Sequence, residues 1–116
     1  MVKKIITLLT TILYFNSIYA KNISLEGEWN DILKNRIPIL ASIDNNTISI
    51  DNISSCTYVL KVKVIKNDII EFEKEFFITS NGNISFYLNE IDKTHIYKLE
   101  ITTDKGSFLY GYFYIE

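Results

Sequence analysis

The end of the chain limits the possible folds more than any other stretch. Residues 96–103 run Ile96-Tyr97-Lys98-Leu99-Glu100-Ile101-Thr102-Thr103, and residues 107–115 run Ser107-Phe108-Leu109-Tyr110-Gly111-Tyr112-Phe113-Tyr114-Ile115. Asp104-Lys105-Gly106 separates the two runs. Apolar side chains recur at every second position on both sides of the break. A period of two puts alternate side chains on opposite faces of an extended strand, and it conflicts with the 3.6-residue repeat of a helix. The break ends in glycine, which takes positive φ at no steric cost. These features predict a β-hairpin with a three-residue loop. Such a loop pairs Ile101 with Leu109 and Leu99 with Gly111. Tyr97, Leu99, Ile101, Leu109, Phe113 and Ile115 then share an inner face. Phe108, Tyr110, Tyr112 and Tyr114 share the outer face, opposite Thr102, Glu100, Lys98 and Ile96.

The same period runs through the upstream chain. Ile23, Leu25, Gly27 and Trp29 alternate with polar neighbours and predict one short strand over residues 22–29. Residues 30–36 form an irregular link, and a helical turn around Ile32 and Leu33 has no periodicity behind it. Residues 37–43 are extended. Pro38 has no N–H for a ladder, which predicts an edge strand there. Asp44-Asn45-Asn46 turns the chain into residues 47–53, with Ile48 and Ile50 inward and Ile53 a further inward candidate. Over residues 58–66, Tyr58, Leu60, Val62 and Val64 oppose Val59, Lys61, Lys63 and Ile65. After Asn67-Asp68, Ile70, Phe72, Phe76 and Ile78 oppose Glu71, Glu73, Glu75 and Phe77. An Asn81-Gly82-Asn83 turn precedes an inward row of Ile84, Phe86 and Leu88, and residues 89–95 form a loop.

The charges set the register between residues 58–66 and 69–78. An odd-numbered loop puts Lys63 opposite Glu73 and Lys61 opposite Glu75 on the solvated side. A two-residue loop puts the glutamates against the core valines. Burying an unpaired carboxylate costs several kcal/mol, whereas exposed cross-strand ion pairs gain only a few tenths. The odd loop is therefore expected. About seven short strands with regular turn signals, and no three-turn amphipathic helix, predict an all-β immunoglobulin-like or fibronectin-like β-sandwich.

Residues 1–20 stand apart. Lys3-Lys4, an apolar core from Ile5 to Phe15, and Ser17-Ile18-Tyr19-Ala20 follow the three-part order of a secretory signal peptide. That predicts an exported, periplasmic or extracellular domain over residues 21–116. Ile18 is larger than the small residue preferred three places before cleavage, and an uncleaved N-terminal anchor is the alternative. The apolar core falls short of the about 20 residues that span a bilayer. No cysteine follows it, which speaks against a lipid anchor. Losing Lys3 and Lys4 takes the formal charge from −2 to −4. The remaining basic residues are scattered, and a single Arg is present, at position 36. Nucleic acid, which needs clustered cations, is therefore not expected as a partner, and neither is a membrane after cleavage.

Catalytic and metal constellations do not assemble from this sequence. Cys56 is the sole cysteine, so no internal disulfide forms, and its apolar context suits a small hydrophobic core residue better than a nucleophile. His95 is the sole histidine and has no sequence-level triad partner. One His and one Cys are too few for a structural zinc site. Asp44-Asn45-Asn46 begins like a calcium loop, but Ser49 and Ser55 occupy the places of its turn glycine and its bidentate glutamate. The Glu71, Glu73, Glu75 row reads as a solvated ladder against lysines, with an acid/base or metal role as the sharper alternative. No cofactor and no metal are expected.

Two features remain. Tyr97 opens a strand, with Ile91 six positions earlier and Leu99 two positions later. This spacing matches the tyrosine corner of immunoglobulin-like sandwiches, in which the phenol bonds back to backbone near residue 91. The alternative is an ordinary half-buried tyrosine. The second feature is the outer row Phe108, Tyr110, Tyr112 and Tyr114. It is larger than solubility needs, and its residue types give contact area at small entropic cost. It is the candidate binding face, unless the N-terminal segment with Trp29 covers it or it only stabilises the sheet.

The motifs Leu25-x-Gly27-x-Trp29, Arg36-Ile37-Pro38-Ile39, Tyr97-x-Leu99-x-Ile101 and Leu109-x-Gly111-x-Phe113 extend over nearly all of residues 21–116. In this pattern the chain resembles the domain-of-unknown-function family numbered 3244, small exported proteins of Bacteroidetes. The resemblance implies a single immunoglobulin-like sandwich behind a signal peptide, and it transfers no active site. The chain departs from antibody domains in having no cysteine pair around Trp29. The expected function is an exported non-catalytic binding module for a protein or a glycan. The alternative is a small secreted regulator, such as an inhibitor of a co-exported hydrolase, acting through residues 89–95 or 104–107.

Overall fold

The computed structural model describes residues 20–30, 37–90 and 92–115. Residues 1–19, most of the segment expected to be a signal peptide, and the link around Ile32 and Leu33 lie outside them. Nine strands occur, with no helix among the described residues: β1 Lys21–Ile23, β2 Glu26–Glu28, β3 Ile39–Asp44, β4 Thr47–Asn52, β5 Tyr58–Lys66, β6 Ile69–Ile78, β7 Asn83–Tyr87, β8 Tyr97–Thr103 and β9 Phe108–Phe113. They form two antiparallel sheets, ordered β1-β3-β4-β7 and β2-β9-β8-β5-β6. Three hairpins, β3–β4, β5–β6 and β8–β9, each stay within one sheet. β7 crosses back to the first sheet and pairs with β4. The inner faces of both sheets meet in one core that includes Ile48, Ile50, Leu60, Val62, Leu99 and Ile101, each with no exposed surface.

The last hairpin has the expected register. Ile101 faces Leu109 and Leu99 faces Gly111. The Thr103 N–H donates to the Ser107 carbonyl at 3.1 Å and closes a three-residue loop, and Gly106 there has φ of 89°.

The first strand differs from expectation. Residues 22–29 divide between the sheets, β1 pairing with β3 and β2 with β9. Gly111 admits the crossing, since a Cβ there would stand 2.4 Å from the Ser24 carbonyl oxygen. Gly27 has φ of 131°, and a Cβ on it would stand 2.1 Å from the Phe108 carbonyl oxygen. Close backbone approach and positive φ both require glycine at such a place. The division makes two strands of one expected strand.

β3 is an interior strand, between β1 and β4, and not an edge. Pro38 stands just before it, where no ladder N–H is needed, and its carbonyl accepts the Ile53 N–H at 2.9 Å. At the end of β4 the inward residue is Asn52, 1% exposed, while Ile53 is 49% exposed. The Asn52 amide is fully engaged. It donates to the Cys56 carbonyl at 2.7 Å and the Thr79 carbonyl at 2.9 Å. Its oxygen accepts the Ser54 N–H at 3.0 Å and the Ser54 hydroxyl at 2.7 Å. Hydrogen bonding makes this polar burial tolerable and binds the 53–57 loop to the β6–β7 turn.

β5 and β6 pair as the charges require, Lys63 with Glu73 and Lys61 with Glu75. The device differs from the expected odd loop. Asn67 and Asp68, at φ of 53° and 64°, form a two-residue turn of the kind that joins twisted strands tightly. A bulge between Val64 and Ile65 then shifts the register by one residue. Below the bulge Ile70 lies opposite Ile65 and is exposed, so it leaves the inward row predicted for it.

Candidate functional site

The outer face of the five-stranded sheet carries the aromatic row. Leu109, Gly111 and Phe113 point into the core, so Phe108, Tyr110 and Tyr112 point outward. Phe108 and Tyr112 are 39% and 59% exposed, and Tyr110 is half-buried. Their rings make a continuous line, with centroids 5.9 Å apart for Phe108–Tyr110 and 6.2 Å for Tyr110–Tyr112. The first pair is tilted by 32° and the second by 76°, so the row is ridged and not a flat platform. Tyr114 stands past the end of β9, 52% exposed, and the Lys21 ammonium of β1 lies 5.3 Å from its ring centre. Three of the four expected residues therefore form one row, and the fourth turns toward β1.

Among the described residues the N-terminal segment does not cover the row. β2 pairs beside β9 and places Glu26 opposite Tyr110 and Glu28 opposite Phe108, so both carboxylates flank the rings. Trp29 goes into the core, where its ring meets Tyr58 edge-on at 5.0 Å. On the other side β8 supplies Lys98 and Glu100, joined by an ion pair of 3.0 Å. Lys98 also lies over the Tyr110 ring at 5.5 Å. The Tyr110 hydroxyl donates to Glu26 Oε1 at 3.2 Å. That bond and the charge of Glu26 push the phenol up from its ordinary pKa. The hydrogen bond to Glu100 raises Lys98 likewise. Tyr110 is thus held in place by its neighbours, while Phe108 and Tyr112 keep open surface. Sequence reasoning missed Glu26 and Glu28, because their strand was not expected beside β9.

The tyrosine corner forms. Tyr97 is 1% exposed, and its hydroxyl accepts the Asp92 N–H at 2.8 Å. Asp92 in turn accepts the Thr94 N–H at 3.0 Å and the Thr94 hydroxyl at 2.5 Å, with His95 Nδ1 at 2.7 Å. These bonds, led by the Thr94 hydroxyl, lower the Asp92 pKa to about 2. Thr94 Oγ1 also lies 3.1 Å from His95 Nδ1. A proton relay needs the carboxylate on one ring nitrogen and the nucleophile on the other, whereas here both partners address Nδ1. The group therefore reads as a loop clamp. Cys56 is half-buried against the core. Among the described residues no three His, Cys, Asp or Glu side chains come close enough to hold a metal ion.

Two sheets packed face to face, crossed by β7 and fastened by a buried corner tyrosine, define an immunoglobulin-like β-sandwich. The family described as Domain of unknown function (DUF3244) matches residues 22–115, and the chain belongs to it. The fold is similar to the crystal structure of a DUF3244 family protein with an immunoglobulin-like β-sandwich fold from Bacteroides vulgatus ATCC 8482. The TM-score is 0.69 at 23% identity, over 84% of this chain and 99% of that one. No curated protein matches the chain.

Proposed function

We propose that the chain is an exported, non-catalytic binding module whose contact surface is the aromatic row on β9. Export rests on the three-part pattern of residues 1–20. The row itself carries the reading. Phe108 and Tyr112 leave apolar ring surface in solvent, between the Glu26–Glu28 rim and the Lys98–Glu100 pair. Exposed aromatics with a polar rim are the composition of recognition surfaces, with rings giving area and charges giving orientation. The ridged line of rings fits a protein or a short glycan and not a flat crystalline surface.

The test uses Tyr112→Ala with Phe108→Ala, which spares the braced Tyr110. Binding of the purified protein to envelope extracts and to a glycan panel is compared with wild type, after equal thermal midpoints establish that both fold. The reading expects captured partners to be lost in the variant. Identical capture by both proteins would reject it.

A further inference from the structure

We propose that the free edge of β6 is a second docking site, which takes an extended basic segment of another protein as an added antiparallel strand. β6 is the ten-residue outermost strand of its sheet. One side pairs with β5, and among the described residues no strand pairs with the other. An edge of this length offers backbone donors and acceptors to an incoming strand.

Three observations say what that strand carries. On the outer face, Glu73 and Glu75 are exposed. They already stand opposite Lys63 and Lys61 of β5, with Lys61 Nζ 3.5 Å from Glu73. β5 is thus an internal example of the strand this row accepts, with lysine at its two central outward places. On the inner face, Phe72 and Phe76 stack on Phe86 of β7 at 4.2 and 5.7 Å, closing the flank where the edges of the two sheets meet. Both are only half-buried, so apolar side chains opposite them remove further ring surface from water. Lys74 between them is exposed, its ammonium 5.4 Å from the Phe76 ring, and calls for a hydroxyl opposite it. At the bulge end lies a cavity of about 270 Å³, with Glu71 and Glu90 beside Phe72 and Tyr87. Carboxylates beside aromatic walls suit the apolar stem and charged head of a lysine or arginine.

A second copy of the chain does not fit. Antiparallel pairing of β6 with itself about residue 73 or 74 sets Glu73 against Glu73 or Glu75, and like charges directly opposite destabilise a sheet. A basic partner meets no such conflict.

The probe is a labelled, end-blocked peptide, Val-Lys-Thr-Lys-Val-Lys, titrated into the purified protein. Saturable binding is expected, with new hydrogen-exchange protection on β6 amides. A peptide methylated on the backbone nitrogens of its first two lysines, which stand opposite Glu75 and Glu73, keeps the charge but loses the ladder donors, and it should bind about tenfold more weakly or worse. Glu73→Lys with Glu75→Lys should weaken binding by a similar factor; Glu73→Gln with Glu75→Gln serves if the double reversal unfolds the chain. Equal binding of the N-methylated peptide would reduce the contact to charge alone and overturn the proposal. So would the absence of binding, protection elsewhere than β6, or unchanged affinity in the glutamate variants. Because the aromatic row lies on β9, Tyr112→Ala should leave this binding intact, which separates the two sites.

Discussion

Tyr97→Phe removes one hydroxyl from the core and leaves the ring. The ring is 1% exposed and stacks on Phe113 at 5.4 Å, 15° from parallel, and phenylalanine keeps all of that packing. The loss is the acceptor of the Asp92 N–H, bonded at 2.8 Å in half-buried surroundings. A hydrogen bond contributes about 0.5–1.5 kcal/mol net, and a fully buried orphan donor costs about 1–3 kcal/mol. With water partly able to reach Asp92, the expected loss is about 1–2 kcal/mol. In a domain of this size each kcal/mol moves the thermal midpoint by about 4–8 °C, so calorimetry should show a fall of roughly 4–16 °C. Tyr110→Phe is the matched control. Its hydroxyl bonds Glu26 at 3.2 Å in an exposed position, and its removal should cost less than about 0.5 kcal/mol. Urea unfolding of both variants with a common slope gives the comparison. Equal destabilisation of the two, or an unchanged Tyr97→Phe protein, would refute the corner as the fastening of the 89–95 loop.

Three further outcomes follow from the same contacts. Asn52→Ala orphans the Ser54 N–H and takes one of two donors from the Cys56 and Thr79 carbonyls, which keep the Ser54 hydroxyl and the Gly82 N–H, so urea unfolding should show a loss of about 1–3 kcal/mol. Gly111→Ala drives a methyl against the Ser24 backbone, and overpacking of this kind should cost about 1–3 kcal/mol, with hydrogen-exchange protection of β1 and β2 falling first. Asp92 has a folded pKa of about 2 against an ordinary 3.8, so its stabilisation is complete above pH 4 and disappears as pH falls through 2. The urea midpoint of wild type should therefore fall more steeply than that of Asp92→Asn between about pH 4 and 2; parallel acid limbs would show that the Thr94 and His95 contacts add nothing.

The β8–β9 and β5–β6 hairpins show how much of this structure is local. Alternation alone assigned Tyr97, Leu99 and Ile101 to the core and Phe108, Tyr110 and Tyr112 to the outer face. A period of two leaves only one way to bury an apolar row. The charges of β5 and β6 did the same for register, since a slip of one residue would bury glutamates. They could not choose between an odd loop and a two-residue turn with a bulge, because both deliver Lys63 to Glu73.

By itself, then, the sequence determined the all-β class, the faces of the strands, the last hairpin and the spacing of the tyrosine corner. Each depends on side chains a few positions apart. Only the tertiary structure decided how residues 22–29 divide between the sheets, why Pro38 precedes an interior strand, and why Asn52 is buried in place of Ile53. These outcomes depend on partners distant in the chain, such as the Gly82 carbonyl for Asn52. The candidate site followed the same division. Its aromatic row was legible in the sequence, but the glutamates beside it were not, because Glu26 reaches Tyr110 from 84 residues away.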